Sequence, residues 1–254
     1  MILGLLAALT FPLDAIAQIV LTGQVTSSEE GPMEGVLVSA KRAGSTITIT
    51  VATDAQGRYS FPASKLEAGP YTLRIRAIGY DLDSPAQVNV GAQASADLKL
   101  RKTEDLASQL SNAEWIASVP GTDQQKNGLL NCIGCHTLER VMKSAHATDD
   151  FMQVLPRMQG YVNQSIPAAP QLRRAERLME ERGDQRVQVY RGLADYLSQI
   201  NQSKGTWSYA LNALPRPKGK GTRAVITEYD LPRETIQPHD VVVDADDIAW
   251  YSSF

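Results

Sequence analysis

Cys132-Ile133-Gly134-Cys135-His136 is the run in this chain whose residue types and spacing bear most directly on chemistry. Two thiols three residues apart share one face of a helical turn, where each can form a thioether with one vinyl group of a single haem. The imidazole that follows is then held beneath the iron as its proximal ligand. Three other uses compete for these residues. A thioredoxin-like dithiol calls for a βαβ setting, and the flanks here are helical in period. A structural zinc site calls for four ligands, and the whole chain has two cysteines and three histidines. A plain disulfide would not require His136. The spacing favours covalent haem, with Cys132 and Cys135 as attachment residues and His136 as an axial ligand of the iron.

The elements around this run must place it. Ser111-x-x-Glu114 and Thr122-x-x-Gln125 are capping-box patterns, each opening a short helix, and Pro120 ends the first. Thr148 before Asp149 and Asp150 predicts an N-cap with acidic first-turn residues. Phe151, Leu155 and Met158 then share a helical face, with Pro156 kinking or shortening the helix. Residues 171–182 read as a charged helix, and Val187, Tyr190, Leu193, Leu197 and Ile200 as the stripe of an amphipathic last helix.

With its attachment motif and Leu193-Ala194-Asp195-Tyr196-Leu197 in the closing helix, the stretch 105–202 resembles a small class I cytochrome c. The resemblance implies an all-α domain, one covalent haem c, and single-electron exchange with a redox partner protein. It also implies a thioether opposite His136, a ligand that raises the reduction potential. The candidates are Met142, Met152, Met158 and Met179. Met142 follows His136 by six residues, too few to cross to the distal face, and Met179 lies among charges. Met158 stands beside Gly160 at a helix end, where a side chain can turn toward a pocket, and is the expected sixth ligand. His146, as a bis-histidine partner, is one alternative; another methionine or an open sixth position is the other.

The first residues speak to compartment. Residues 1–13, MILGLLAALTFPL, are an apolar run, too short for a span of about 20 residues. Ala15-Ile16-Ala17 follows as a small-x-small pattern before Gln18. Together they read as a secretory signal peptide over 1–17, although no Lys or Arg precedes Lys41. A periplasmic or secreted protein is expected, and not an integral membrane one.

From residue 19 to about 101 the period is two. Residues 19–25, 36–41, 46–53, 58–61, 71–77, 87–90 and 96–100 alternate apolar and polar side chains or are rich in β-branched ones. Glu30-Gly31-Pro32, Ala43-Gly44, Asp54-Ala55-Gln56-Gly57 and Gly69-Pro70 punctuate them. Seven short strands at such spacing predict an antiparallel β-sandwich. The order Gly23-x-Val25, Gly31-Pro32-x-x-Gly35-Val36-x-Val38, Thr53-Asp54-x-x-Gly57-x-Tyr59-x-Phe61, Gly69-x-Tyr71-x-Leu73 and Ala77-x-Gly79-Tyr80 resembles the carboxypeptidase regulatory-like domain. That family is a transthyretin-like sandwich grouped with carbohydrate-binding-like folds. The resemblance implies a binding or spacing module over 19–101 with no peptidase activity. Tyr59, Tyr71 and Tyr80 sit where rings pack a core and do not form a sugar platform.

Leu214-Pro-Arg-Pro-Lys-Gly-Lys-Gly221 marks a linker, placed at 203–222. Beyond it, residues 224–229, 239–244 and 248–252 return to period two. Ile226-Thr-Glu-Tyr-Asp-Leu-Pro232, Pro238-His-Asp-Val-Val-Val-Asp244 and Ile248-Ala-Trp-Tyr251 resemble the opening blade of a streptogramin (virginiamycin B) lyase-like β-propeller. A blade has four strands and a propeller at least four blades, so 223–254 is expected to be an incomplete blade, and the chain a fragment of a longer parent. No lyase residue of that family maps here, and His239 is expected in a turn or packing role.

Composition bounds the rest. A net charge of −3 over 254 residues gives no basic excess for nucleic acid. No Ser-His-Asp set, phosphate loop or paired-carboxylate site stands out, so lyase or dehydrogenase-type activity is expected only in a longer parent. The chain is therefore expected to be multidomain: an all-β sandwich, an all-α cytochrome c-like haem domain and a partial propeller blade. The competing class is a periplasmic binder, in which sandwich and propeller recognise a glycan or protein ligand.

Overall fold

The computed structural model describes residues 21–91, 93–162, 165–172, 183–233, 236 and 238–253. The expected signal peptide, all but the first two residues of the expected charged helix at 171–182, and Met179 lie outside the described residues. The chain divides into two units. One holds the chain up to Ile75 with Leu82–Leu100 and Pro217–Glu228; the other holds Arg76–Asp81, Arg101–Arg216 and the chain from Tyr229.

The first unit is the sandwich. Its strands are β1 (Leu21–Ser27), β2 (Gly31–Pro32), β3 (Leu37–Arg42), β4 (Ile47–Ala52), β5 (Arg58–Phe61), β6 (Gly69–Arg76), β7 (Tyr80–Leu82), β8 (Ala86–Val90), β9 (Ala94–Ser95) and β10 (Leu98–Lys102). The seven expected strands are all present, and β2, β7 and β9 are short additions. β1 organises one sheet: it pairs antiparallel with β2 and β5 and parallel with β9 and β10. The parallel pairs depart from the antiparallel expectation. A parallel pair needs a long crossover, and here the chain builds most of the second sheet between β1 and β10. That sheet contains the antiparallel pairs β3–β4 and β6–β8.

Period-two alternation fills the space between the sheets. Leu21, Val25, Val38, Ile49, Val51, Phe61, Leu73, Leu98 and Leu100 are buried. Tyr59 and Tyr71 are buried with them, as their spacing predicted, whereas Tyr80 is half-buried. The Tyr59 ring meets Phe61 edge-on at 5.8 Å, and its hydroxyl donates to the Ala96 carbonyl at 2.6 Å. The Thr53-Asp54-x-x-Gly57 run is a turn with a stated job for each residue. Asp54 Oδ1 accepts from the backbone N–H groups of Gln56 and Arg58, both at 2.9 Å. Gly57 has φ 71°, and a Cβ there would lie 2.6 Å from the Val25 carbonyl oxygen, so both backbone conformation and space demand glycine. Thr53, fully buried, accepts from Val36 N–H at 2.9 Å and donates to the Met33 carbonyl at 2.6 Å.

The second unit holds six described helices: α1 (Leu106–Gln109), α2 (Asn112–Ser118), α3 (Asp123–Leu129), α4 (Glu139–Met142), α5 (Thr148–Gln159) and α6 (Gly183–Ile200). Both expected capping boxes form, Ser111 with Glu114 and Thr122 with Gln125. At α5 the cap is Ala147, one residue earlier than expected. Asp150 accepts from Ala147 N–H at 2.9 Å, and Thr148 turns instead to Ser198, hydroxyl to hydroxyl at 3.1 Å. Trp115, Leu129, Leu138, Met142, Phe151, Tyr190, Ala194, Leu197 and Ile200 form one buried cluster. Val187, expected in the stripe of α6, is 50% exposed; the buried stripe begins at Tyr190.

The expected linker at 203–222 is ordered structure. Trp207, Tyr209 and Leu211 pack against the helical core. Trp207 meets Trp115 at 5.3 Å, the Tyr209 hydroxyl donates to the Ile200 carbonyl, and Asn212 N–H donates to Ser118 Oγ at 2.7 Å. Leu214 N–H donates to Glu114 Oε1 at 2.9 Å. The chain then returns to the sandwich unit. A 3₁₀ turn over Gly219–Arg223 places Gly219 N–H on Glu34 Oε1 at 2.9 Å. β11 (Val225–Tyr229) follows and becomes the edge strand of the second sheet, ordered β11-β4-β3-β6-β8. β12 (Pro238–Val243) and β13 (Ala249–Ser253) form a separate hairpin, with Val242 opposite Trp250.

Two outcomes follow from this packing. Thr53→Val strips partners from a buried N–H and a buried carbonyl, a loss of about 2–4 kcal/mol; hydrogen exchange of the β1 and β4 amides in the full chain should show it as faster global opening. Glu114 is 1% exposed at its side chain. Burial opposes its ionisation. The backbone N–H groups of Ser111 and Leu214, the Ser111 hydroxyl and the Arg76 charge outweigh that, and its carboxyl titrates below the ordinary 4.5. Its stabilisation is present above that value and is lost as pH falls through the depressed folded one. The urea midpoint followed by Trp115 and Trp207 fluorescence should therefore drop below about pH 4.5, and Glu114→Gln should lower it at pH 7 and flatten the acid limb.

Candidate functional site

The chemistry-bearing run sits between two helices. α3 ends at Leu129, whose carbonyl accepts from Cys132 N–H at 2.9 Å. Cys135 N–H then reaches back to the Cys132 carbonyl at 3.4 Å, closing a single turn. The cysteines are thus three apart on one turn, as the spacing required, though on a turn that follows a helix and not inside one. Beyond it, Leu138 N–H donates to Asn112 Oδ1 at 2.9 Å. Leu138 is itself fully buried, so the far side of the turn is anchored in the core.

Both cysteines are free thiols, each half-buried. Cys132 and Ile133 pack against the helical core. Burial, with a smaller contribution from the neighbouring Cys135, pushes the Cys132 thiol up to about 11. The half-buried His136 ring has Nδ1 at 2.9 Å from the Thr137 carbonyl. With the proton on Nδ1 the ring donates there, and Nε2 keeps its lone pair as a donor for a metal.

The structure brings Cys132, Cys135 and His136 together on one turn. The other candidates lie elsewhere. Met142 is fully buried in the core, and Met152 packs against it. Met158, in the last turn of α5, is 36% exposed, so its thioether is not committed to core packing. His146 is exposed, with its ring edge-on to Phe151 at 5.3 Å and its carbonyl accepting from Asn201 Nδ2 at 2.9 Å. His239, expected in a turn or packing role, lies in β12 with Nδ1 at 2.5 Å from Asp240 Oδ2.

The competing chemistries can be weighed on the same geometry. Among the described residues no three His, Cys, Asp or Glu side chains cluster as a metal site would. The flanks α3 and α4 are helices, not the βαβ setting of a thioredoxin-like dithiol. Two donors in the helical core, Trp115 Nε1 and Tyr190 Oη, are buried without a partner among the described residues. Sequence reasoning missed Asn112 and Asn201, which hold the loops on either side of α4. No period or motif marks a single asparagine.

Residues 20–101 match the family model of the carboxypeptidase regulatory-like domain, which confirms the sandwich resemblance. No curated protein matches the chain. Among solved structures, the chain is similar to the Bacillus anthracis TIE protein at 19% identity over 34% of this chain and 16% of that one, with a TM-score of 0.28. The group B streptococcus pilus 2b backbone protein follows at 15% identity over 35% and 43%, TM-score 0.29. The Klebsiella pneumoniae 5-hydroxyisourate hydrolase is similar at 25% identity over 34% and 99%, TM-score 0.24. Among the described residues no helix is long and apolar enough to cross a membrane.

The raised Cys132 thiol gives a direct test of the turn. Its shift from 9.0 to about 11 lowers the thiolate fraction roughly a hundredfold at pH 8, and the greater nucleophilicity of a more basic thiolate returns about tenfold. Iodoacetamide should then label Cys132 in the folded, haem-free chain roughly tenfold more slowly than in urea, read by peptide mass spectrometry. Equal rates would show the thiol to be exposed.

Proposed function

We propose that residues 105–202 carry one covalent haem c and that the chain is an exported electron-transfer protein, with the β-sandwich as a binding or spacing module. The observation that carries this reading is the Cys132–His136 turn: two free thiols three residues apart, and an imidazole whose Nδ1 is tied to the Thr137 carbonyl. When bound, a haem supplies an iron that changes oxidation state by one electron. The protein's own groups would then have separate tasks. Cys132 and Cys135 would hold the porphyrin, and His136 would offer Nε2 to the iron. Leu129 and Asn112, through their bonds to Cys132 N–H and Leu138 N–H, hold the turn between α3 and α4. Trp115 Nε1 and Tyr190 Oη, buried without a partner among the described residues, also fit a core that takes in a group with acceptor atoms.

Met158 is the proposed sixth ligand. Of the described methionines weighed for this role it is the one left outside the packed core, and it lies at a helix end next to Gly160. Localisation in the periplasm or outside the cell follows from the signal-like residues 1–17 together with an attachment motif that is used on exported proteins. The partner is a second redox protein. The β12–β13 hairpin remains the candidate opening of a propeller-like blade, because Val241, Val242, Val243 and Trp250 are each more than 60% exposed and a blade would cover them.

Chain produced with a cytochrome c maturation system should keep haem-linked peroxidase staining after denaturation and gain the mass of one haem. Cys132→Ala with Cys135→Ala should abolish both, and an unstained wild-type band ends the reading. In the oxidised protein, Met158→Ala should remove the weak near-infrared sulfur-to-iron band, and His146→Ala should leave it. A band that persists without Met158 refutes that ligand and leaves the attachment intact.

A further inference from the structure

β11 gives the sandwich an edge with a composition of its own. The strand Val225-Ile226-Thr227-Glu228-Tyr229 lies against β4 on one side and ends the sheet on the other. Val225 is 43%, Ile226 44% and Tyr229 68% exposed, so little of its apolar surface is covered. Edge strands are normally blunted by lysine, proline, a bulge or a covering element, and within β11 the single charged residue is Glu228. The charges lie in the flanks and are segregated by sign. Lys218, Lys220 and Arg223 precede the strand; Glu228 and Asp230 close it.

We propose that this edge is a docking surface for a second copy of the same chain, with β11 pairing antiparallel to β11 of that copy across a two-fold axis at Thr227. An isologous contact must be complementary to itself, and this register meets the condition. It is the register that pairs all five residues: Val225 faces Tyr229, Ile226 faces Glu228, and Thr227 faces Thr227. β-Branched against aromatic and threonine against threonine are favourable cross-strand pairs, and no like charges stand opposite one another. A register centred one residue later would set Glu228 on Glu228, a destabilising pair. The flanks select the same orientation. Antiparallel pairing sets Arg223 of each copy opposite Leu231 of the other, so the basic flank of one strand runs alongside the acidic end of its partner, whereas in-register parallel pairing sets basic flank on basic flank and Glu228 on Glu228. The two five-stranded sheets would join into one ten-stranded sheet.

The register makes two substitutions act in opposite directions. Thr227→Lys sets two ammonium groups face to face on the axis; Ile226→Lys sets each new lysine opposite Glu228 of the other copy. Sedimentation velocity on the full chain, from about 10 μM to 1 mM at low salt, should show a monomer–dimer equilibrium that weakens as salt rises. Thr227→Lys should raise the dissociation constant roughly tenfold or more, and Ile226→Lys should lower it several-fold. Hydrogen exchange at residues 47–52 reports whether β11 still covers β4 in each variant. If Thr227→Lys frees β4, the sign of the Ile226→Lys change decides. A chain that stays monomeric throughout overturns the proposal. So does a dimer weakened by Ile226→Lys, or one that ignores Thr227→Lys and is lost on Val242→Lys in the exposed hairpin.

Discussion

The helical unit is tied together by a carboxylate. Glu114 lies in the first turn of α2 with its side chain 1% exposed, and its oxygens accept from Ser111 N–H at 2.7 Å, Ser111 Oγ at 2.7 Å and Leu214 N–H at 2.9 Å. Arg76 stands 3.5 Å away. A buried charge is tolerable only when its lone pairs are occupied, and the groups that occupy these come from three places in the chain. One is the cap of its own helix, one is the end of β6, and one is a residue a hundred positions downstream. Removing any of them leaves an ion short of a partner in a place water does not reach. The carboxylate thus fixes where the segment after α6 must run. That path lays Trp207 on Trp115 and Tyr209 on the end of α6.

The cysteine turn depends on this arrangement indirectly. α2 supplies Trp115 to the core, and through Asn112 it anchors Leu138, two residues past His136. α3 supplies Leu129, the last buried residue before the turn and the acceptor for Cys132 N–H. A five-residue motif with one internal backbone bond has little rigidity of its own. Its orientation is borrowed from two short helices whose own ends are fixed by capping boxes. Isolated helices of this length are marginal in water, so the caps and the buried tryptophan are what make the turn a defined object.

Much of this was legible in the sequence where a period or a spacing exists to be read. The strands of the sandwich, both capping boxes and the Asp54–Gly57 turn follow from local patterns whose physical meaning does not depend on the rest of the fold. The failures share a cause. Residues 203–222 read as a linker because Pro215, Pro217, Gly219 and Gly221 dominate their composition. The period-two apolar triplet Trp207, Tyr209 and Leu211 was there to be read, but three residues are too few to announce a buried segment. The parallel pairing of β1 with β10 has no local signature, because direction is set by how the chain changes sheets. Asn112 and Asn201 carry no pattern at all. At the site, the grouping of Cys132, Cys135 and His136 on one turn was readable because their spacing is short and local. A methionine at helical spacing is equally a core filler, and Met142 and Met152 are used that way.

The return of residues 217–228 to the sandwich has a consequence for how the protein assembles. Thr50 and Glu228 approach to 3.5 Å across 178 residues of sequence. Closing so long a loop costs only about 0.6 kcal/mol more for each doubling of its length, so the distance is no thermodynamic obstacle. It is a kinetic one. Non-local strand pairing is slow, and until β11 arrives β4 presents Ile47-Thr48-Ile49-Thr50-Val51 as an unpaired β-branched edge, the kind of strand that recruits other chains. β11 then covers one edge and leaves another, shorter by a residue and bracketed by charges. The sheet therefore does not escape the edge problem; it moves it to a strand whose flanking charges restrict what can pair there.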